Sequence, residues 1–230
     1  MMGMENLAFT VSVWVLPVLI AVTFHEAAHG WVAWRLGDDT AYRLGRVTFN
    51  PLSHIDLFGT ILLPALMLFA SGGRMMFGFA KPVPVNFNRL RRPRRDMVLV
   101  AAAGPGSNVL MAVLSAACMH ILPLLPDDVY QWVGYNLCNS VRINVLLCVF
   151  NMLPLPPLDG GRVAVGLLPN PLSRRLARLE RAGIAIILAA VFILPWIGGK
   201  IGVDLNVFWW LVVMPMEYIE KVVYVITGHG

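Results

Sequence analysis

The chain has 230 residues, of which 58% are hydrophobic and 13% are charged, and its formal net charge is +5. This is more apolar side chain than the single core of a soluble protein of this length would bury, so the composition excludes an ordinary water-soluble domain and predicts a membrane protein. The basic residues cluster beside apolar runs, as cytoplasmic loops that face anionic lipid do, and this argues against nucleic acid as a partner.

Five long apolar runs follow one another along the chain, and most are close to the roughly 20 residues that a helix needs to cross a bilayer. They are residues 7–33, 97–125, 132–153, 183–197 and 205–226. With the basic loops placed on the cytoplasmic side, the N-terminus lies outside and the runs alternate in direction, so that the last one points inward. We therefore predict an all-α membrane protein, a polytopic bundle of about five to six transmembrane helices, in which residues 1–230 form one integral-membrane domain.

A shorter apolar piece, Leu57–Ala70, contains Pro64 and has basic clusters on both flanks. Because both flanks belong on the same side of the membrane, one simple crossing does not fit, and a re-entrant or interfacial segment is predicted. The neighbouring stretches Tyr42–Phe49 and Val83–Phe87 have alternating or β-branched character and are bounded by Gly and Pro residues. This pattern predicts short β-strands near the cytoplasmic face.

The first apolar run contains the motif His25-Glu26-Ala27-Ala28-His29. The four-residue step puts both imidazoles on one face of a helix, one turn apart, which is how an H-E-x-x-H motif presents two zinc ligands. Two histidines and a glutamate cost several kcal/mol to bury in an apolar span unless they are paired or metal-bound. A polar contact between helices is the structural alternative.

A catalytic zinc site has a third protein ligand and an open position for water. Asp127, Asp128 and Asp204 are predicted to lie on the external side, Asp38 and Asp39 in a loop and Asp96 among arginines, and Asp159 remains as the candidate. It follows three prolines that forbid a regular helix and precedes two glycines that allow close backbone approach. The predicted topology puts this unwound segment in the same, cytoplasmic half of the membrane as His25 and His29. A turn-capping role before the two glycines is the alternative for Asp159.

These motifs resemble those of a known family. H-E-x-x-H in a membrane helix, followed by Asn151-Met152-Leu153-Pro154-Leu155-Pro156-Pro157-Leu158-Asp159-Gly160, resembles the site-2 protease family of intramembrane zinc metalloproteases. Three further segments, residues 46–56, 80–86 and 103–108, resemble the compact bacterial branch of that family. The resemblance is to members without the PDZ-like insert or CBS domain of larger members, and we expect neither in this protein.

The resemblance implies one Zn²⁺ per chain and three protein ligands, namely His25, His29 and Asp159. Glu26 would be the general base, and Asn108 and Asn151 would help to hold the substrate or the tetrahedral intermediate. The implied activity is that of an endopeptidase that cleaves transmembrane substrate proteins in the bilayer. The resemblance places the protein in a bacterial plasma membrane, with the active site toward the cytoplasmic half, and leaves its oligomeric state open.

A second class of function also fits the residues: a non-catalytic membrane protein that binds partners or transports a metal ion through His25, His29 and Asp159. A protein of this kind does not need Glu26, a carboxylate beside His25 that is not itself a ligand. Glu26 therefore distinguishes the two hypotheses. His54, beside the short apolar piece, could line the site.

Overall fold

The structure is a computed structural model, and it describes residues 2–62, 66, 69 and 80–230. All regular structure within these residues is helical. The α-helices, in chain order, are α1 (Met2–Arg35), α2 (Thr40–Arg43), α3 (Pro93–Cys118), α4 (Asp127–Asn151), α5 (Asp159–Leu167), α6 (Asn170–Arg178), α7 (Glu180–Leu188), α8 (Leu194–Ile201) and α9 (Met214–Ile226). Short 3₁₀ segments cover Pro51–His54, Phe87–Arg89 and Met119–Leu124, and π-helical segments cover Leu57–Leu62, Ala189–Ile193 and Trp209–Val213.

Four helical stretches among the described residues are long and apolar enough to cross a bilayer, which confirms the prediction of a membrane protein. They are Ala8–Arg35, Pro93–Leu124, Asp127–Asn151 and Glu180–Ile201. The fifth predicted run is helical from residue 207, but it carries Glu217, Glu220 and Lys221. A fifth span there, and with it the total of five to six, stays a prediction.

The centre of the fold is formed by α1, α3 and α4. The side chain of Asn108 on α3 contacts both neighbours, because its Nδ2 donates to Oδ1 of Asn144 at 2.9 Å and to the carbonyl of Ala21 at 3.4 Å. The side chains between α3 and α4 are small or β-branched, so the helices approach closely. Those that are buried include Ala112, Ala116, Val141 and Val145.

The predicted strands at Tyr42–Phe49 and Val83–Phe87 are wrong. Both segments are described in full; the first begins in α2 and continues as turns, and the second is extended up to the 3₁₀ segment at its end, without a partner strand. The backbone donors of the second segment go to side chains instead: the N–H of Val83 donates to Glu26 at 2.7 Å, and the N–H of Asn86 donates to Asp38 at 2.6 Å. These carboxylates take the place of a second strand.

The predicted re-entrant segment begins in the described part of the chain. Residues 57–62 form a π-helical segment, and Leu66 and Phe69 are helical. The other residues of Leu57–Ala70 lie outside the described residues. The re-entrant path therefore stays a prediction.

The last helix runs in the direction opposite to the one expected. Arg142 of α4 pairs with Glu220 of α9 at 3.7 Å, and Nε2 of His229 lies 2.9 Å from the carbonyl oxygen of Ala116. The rings of His120 and His229 stack with their centroids 4.2 Å apart. The end of α9 thus lies beside the end of α3, so α9 is parallel to α3, whereas alternating runs would make it antiparallel.

The helical stretch Glu180–Ile201 explains why the alternation fails. A Cβ built on Gly183 would lie 1.7 Å from the carbonyl oxygen of Pro156, so this stretch starts at the Asn151 end of α4. Since Glu220 lies opposite Arg142, the start of α9 also lies toward that end of α4. The stretch and α9 therefore both begin toward the same end of α4, and α9 repeats the direction of α3.

Candidate metal centre

The two histidines of the motif on α1 face the same point. Nε2 of His25 and Nε2 of His29 are 3.1 Å apart, and both residues are buried. The shared helical face predicted from their four-residue spacing is confirmed, and it lies within the candidate span Ala8–Arg35.

Asp159, the first residue of α5, reaches the same point from a distant part of the sequence. Its Oδ2 lies 3.2 Å from Nε2 of His25 and 3.3 Å from Nε2 of His29. This oxygen is buried, and no atom in the described part of the chain gives it a hydrogen bond of good geometry. The N-cap position of α5 is held by Leu158, and Asp159 lies within the first turn of the helix. The turn-capping alternative for Asp159 is therefore not supported.

Two consecutive glycines let α5 fold back against the connection that precedes it. A Cβ on Gly160 would lie 2.1 Å from the carbonyl oxygen of Met152, and a Cβ on Gly161 would lie 2.1 Å from the backbone nitrogen of Pro156. No side chain fits at either position. The predicted close backbone approach is confirmed, and it returns Asp159 to α1.

The other ring nitrogen of each histidine faces a carbonyl oxygen. Nδ1 of His25 lies 2.6 Å from Oδ1 of Asn108, and Nδ1 of His29 lies 2.7 Å from the main-chain oxygen of Val100. A carbonyl oxygen only accepts hydrogen bonds, so each neutral ring carries its hydrogen on Nδ1 and presents an unprotonated Nε2. Both Nε2 lone pairs are thereby oriented for a cation.

Asn144 on α4 fixes the orientation of the Asn108 amide, and sequence reasoning missed it. Asn144 is fully buried; its Oδ1 accepts from Nδ2 of Asn108 and its own Nδ2 donates to the carbonyl of Ser140 at 2.8 Å. Oδ1 of Asn108 is consequently the atom that faces His25. The polar side chain of Asn144 within an apolar run is the sequence signal that could have identified it.

The two asparagines predicted for the site lie in different places. Asn108 is buried beside the histidines, and its oxygen and nitrogen are both engaged within the protein. Asn151, the last residue of α4, donates from Nδ2 to the carbonyl of Leu147 at 3.0 Å and is half-buried. For both residues, contact with the substrate or the intermediate stays a prediction.

The three donor atoms fit a divalent metal ion. His25, His29 and Asp159 present donors separated by 3.1, 3.2 and 3.3 Å. Ligand atoms placed tetrahedrally at zinc distances lie roughly 3.3–3.4 Å from one another. Without a cation, one ring would have to take up a second proton on Nε2 to partner the buried Asp159 oxygen, whereas a divalent ion partners all three donor atoms at once. The residues therefore fit Zn²⁺ bound by three protein ligands.

Gly104 of α3 leaves room beside these donors. A Cβ at this position would lie 2.3 Å from Nε2 of His29 and 2.6 Å from Cε1 of His25. Any larger residue would push the rings away from their present positions. The absence of a side chain here keeps space next to the atoms that face the metal.

Relatives with the name "Putative zinc metalloprotease" match most of this chain. YwhC of Bacillus subtilis (strain 168) is 36% identical over 189 residues, which cover 79% of this chain and 80% of the relative. The chain belongs to this family of zinc metalloproteases. Rip2 of Mycolicibacterium smegmatis is 30% identical over 74% of this chain and 62% of its own length. MJ0611 of Methanocaldococcus jannaschii is 30% identical over 67% of this chain and 72% of its own length.

Two other comparisons give no match. No protein-family model matches the chain, and no solved structure matches it. The assignment to the zinc metalloproteases therefore rests on these relatives together with the three converging donors.

Glu26 lies next to His25 in this zinc metalloprotease but does not belong to the cluster of three donors. It is half-buried, and its Oε2 accepts a hydrogen bond from the main-chain N–H of Val83 at 2.7 Å. A carboxylate that is held by the backbone beside a metal ligand is suited to handle protons there.

His54 does not join the three ligands in the described part of the zinc metalloprotease. It is buried at the end of the 3₁₀ segment Pro51–His54, and its Nε2 lies 3.0 Å from the carbonyl oxygen of Thr48. Its carbonyl oxygen accepts from the N–H of Lys81 at 3.0 Å. These contacts tie together the two loops that flank Glu26.

Proposed function

We propose that this zinc metalloprotease is an intramembrane endopeptidase of the site-2 protease kind, which cleaves transmembrane substrate proteins in the cytoplasmic half of a bacterial plasma membrane as a multi-pass protein. One observation carries the proposal. The donor atoms of His25, His29 and Asp159 lie 3.1–3.3 Å apart, and the two histidines belong to a helix apolar enough to span a bilayer.

The depth of the ligands on α1 supports cleavage within the membrane. His25 and His29 lie ten and six residues before Arg35, the last residue of the helix. At 1.5 Å per residue they are about 9–15 Å from its end. If α1 crosses the bilayer, the ligands lie inside the hydrocarbon, and the peptide bonds that can reach them are those of membrane-embedded segments.

The three ligands would hold the zinc ion, and the contacts at Nδ1 would keep both rings in the orientation that this requires. A zinc ion bound in this way lowers the pKa of water toward neutrality and polarises a carbonyl group. Glu26 would accept the proton of the attacking water and return it to the leaving amine. In a substrate helix every carbonyl is hydrogen-bonded, so the substrate unwinds locally before attack.

Two asparagines complete the proposal. Asn108 orients His25 through its Oδ1, and its amide hydrogens point to Asn144 and Ala21. Asn151 ends α4 at the start of the connection that leads to Asp159, where its amide would support the tetrahedral intermediate.

The substitution Glu26→Gln tests the proposal directly. In proteoliposomes that contain a model transmembrane substrate, we expect the variant to keep its zinc and to lose about 10²–10⁴-fold of the cleavage rate, since it removes a general base and no ligand. A protein that binds or transports a metal ion through the same ligands would behave like the wild type. Unchanged function in this variant would therefore refute the protease.

A further inference from the structure

Residues 81–91, which are extended up to the 3₁₀ segment Phe87–Arg89, lie along the second half of α1, and we call them the strap. It meets α1 at the depth of Glu26, where the N–H of Val83 donates to Oε2 at 2.7 Å. It remains in contact to the end of the helix, where the N–H of Arg91 donates to the carbonyl of Leu36 at 3.1 Å. The general base of the proposed mechanism is thus bonded to a main-chain donor from a different part of the sequence.

The strap is fixed on both sides of Val83. Before it, the N–H of Lys81 donates to the carbonyl of His54 at 3.0 Å, and the guanidinium of Arg46 donates to the carbonyl of Lys81 at 2.8 Å. After it, the N–H of Asn86 donates to Oδ2 of Asp38 at 2.6 Å. The backbone at Val83 is therefore held at two points only a few residues apart.

Asp38 is a strong anchor for the strap. It is fully buried, and besides the Asn86 N–H it accepts the N–H of Thr40 at 3.1 Å. A buried carboxylate that accepts several backbone hydrogen bonds is costly to displace. Its position directly after α1 ties the strap to the helix that carries Glu26.

The residues around Val83 set the distance of its amide from α1. Val83 is buried, and a Cβ built on Gly30 would lie 3.1 Å from its Cγ1, so the strap packs against a glycine of the helix. Pro82 and Pro84 have no N–H, and a residue before proline is confined to extended conformations. Val83 therefore supplies the one donor of this three-residue stretch, with little freedom to turn away.

From this geometry we infer that the main-chain amide of Val83 positions the general base. It holds Oε2 of Glu26 and leaves the other carboxylate oxygen to take the proton of the attacking water. The inference rests on the proposed function of Glu26 and adds a positioning residue, Val83, that acts through it. A glutamate side chain without this bond rotates among several conformers, and a misplacement of about 1 Å at a catalytic group costs on the order of 100-fold in rate.

The test removes the main-chain amide hydrogen of Val83 and is designed to keep the fold intact. Val83→Pro deletes the bonded N–H, and Val85→Pro is the matched control, since the described part of the chain shows no acceptor for the Val85 N–H. We expect Val83→Pro to lower kcat about 10- to 100-fold with KM and zinc content unchanged, and Val85→Pro to stay within about threefold of wild type.

An amide-to-ester replacement at Val83 covers the case in which Val83→Pro does not fold. The ester keeps the shape of the chain and lacks only the hydrogen, and the same replacement at Val85 is its control. An unchanged or increased kcat in the folded ester variant would overturn the inference. A rise in KM at constant kcat would overturn it too, because the strap would then contact the substrate instead of the base.

The two proposals fail in different ways. If Glu26→Gln cleaves like wild type, the proposed function is wrong whatever Val83 does. If Glu26→Gln is inactive and the Val83 ester cleaves with the wild-type kcat, the protease stands and the positioning role of Val83 is wrong.

Discussion

Nδ1 of His25 lies 2.6 Å from Oδ1 of Asn108, and this contact joins the metal centre to the packing of the bundle. Asn108 also donates to Asn144 of α4, so one buried amide links all three central helices. The orientation of the first metal ligand is thereby coupled to the way α1, α3 and α4 pack.

We predict that Asn108→Leu weakens zinc binding about 10- to 100-fold, the usual effect of losing a partner of a metal-bound histidine. The substitution leaves the Nδ1 hydrogen of His25 without an acceptor in a buried place. Competition with a chelator measures the affinity. Asn108→Asp, which keeps an acceptor for His25, is the control and should bind zinc more tightly than Asn108→Leu; equal affinities would count against the orienting role.

Gly104→Ala should disrupt the site, because the new methyl group would lie 2.3 Å from Nε2 of His29. The rings must move, and we expect zinc content to fall and the cleavage rate to drop by at least about 100-fold. Gly106→Ala is the matched control two residues away, since a Cβ there meets nothing within 4 Å. If both variants kept the zinc and the activity of wild type, the space beside the histidines would not matter.

Gly183→Ala should destabilise the protein by about 1–3 kcal/mol, the usual cost of overpacking. Its Cβ would lie 1.7 Å from the carbonyl oxygen of Pro156, in the connection that leads to Asp159. Gly199→Ala lies in the same helical stretch with open space around its Cβ, and it should change stability by less than about 0.5 kcal/mol. Thermal unfolding in detergent distinguishes them, and equal melting temperatures would contradict the contact.

The direction of α9 can be tested by a cross-link. In a background in which the three cysteines are replaced by alanine, His120→Cys with His229→Cys should be joined by a short bifunctional thiol cross-linker, because the two rings stack at 4.2 Å. His120→Cys with Asn206→Cys is the control pair and should stay unlinked, since residue 206 precedes the start of α9. The opposite pattern would mean that α9 is antiparallel to α3.

The cluster of His25, His29 and Asp159 could be predicted because each member depends on a local rule. The step from His25 to His29 is one helical turn, and prolines followed by glycines mark the place where the chain turns Asp159 back. The extended nature of residues 83–86 was also visible in the sequence, and its partners were not. They are Glu26 and Asp38, more than 45 residues away, and a local pattern does not identify such a partner.

The direction of α9 and the role of Asn144 depended on tertiary contacts in the same way. Alternation of spans is a reliable rule only when each apolar run crosses the bilayer once, whereas Glu180–Ile201 and α9 both begin toward the Asn151 end of α4. Asn144 lies in an apolar helix without any motif, and its function follows from its contact with Asn108.

Metal analysis of the purified protein tests the central claim most directly. Wild type should contain one zinc per chain, and Asp159→Ala should retain less than about a tenth of that after dialysis, because it loses one of three ligands. His120→Ala, which changes a histidine outside the cluster, should keep the wild-type content. Asp159→Ala with undiminished zinc would contradict a site built from His25, His29 and Asp159.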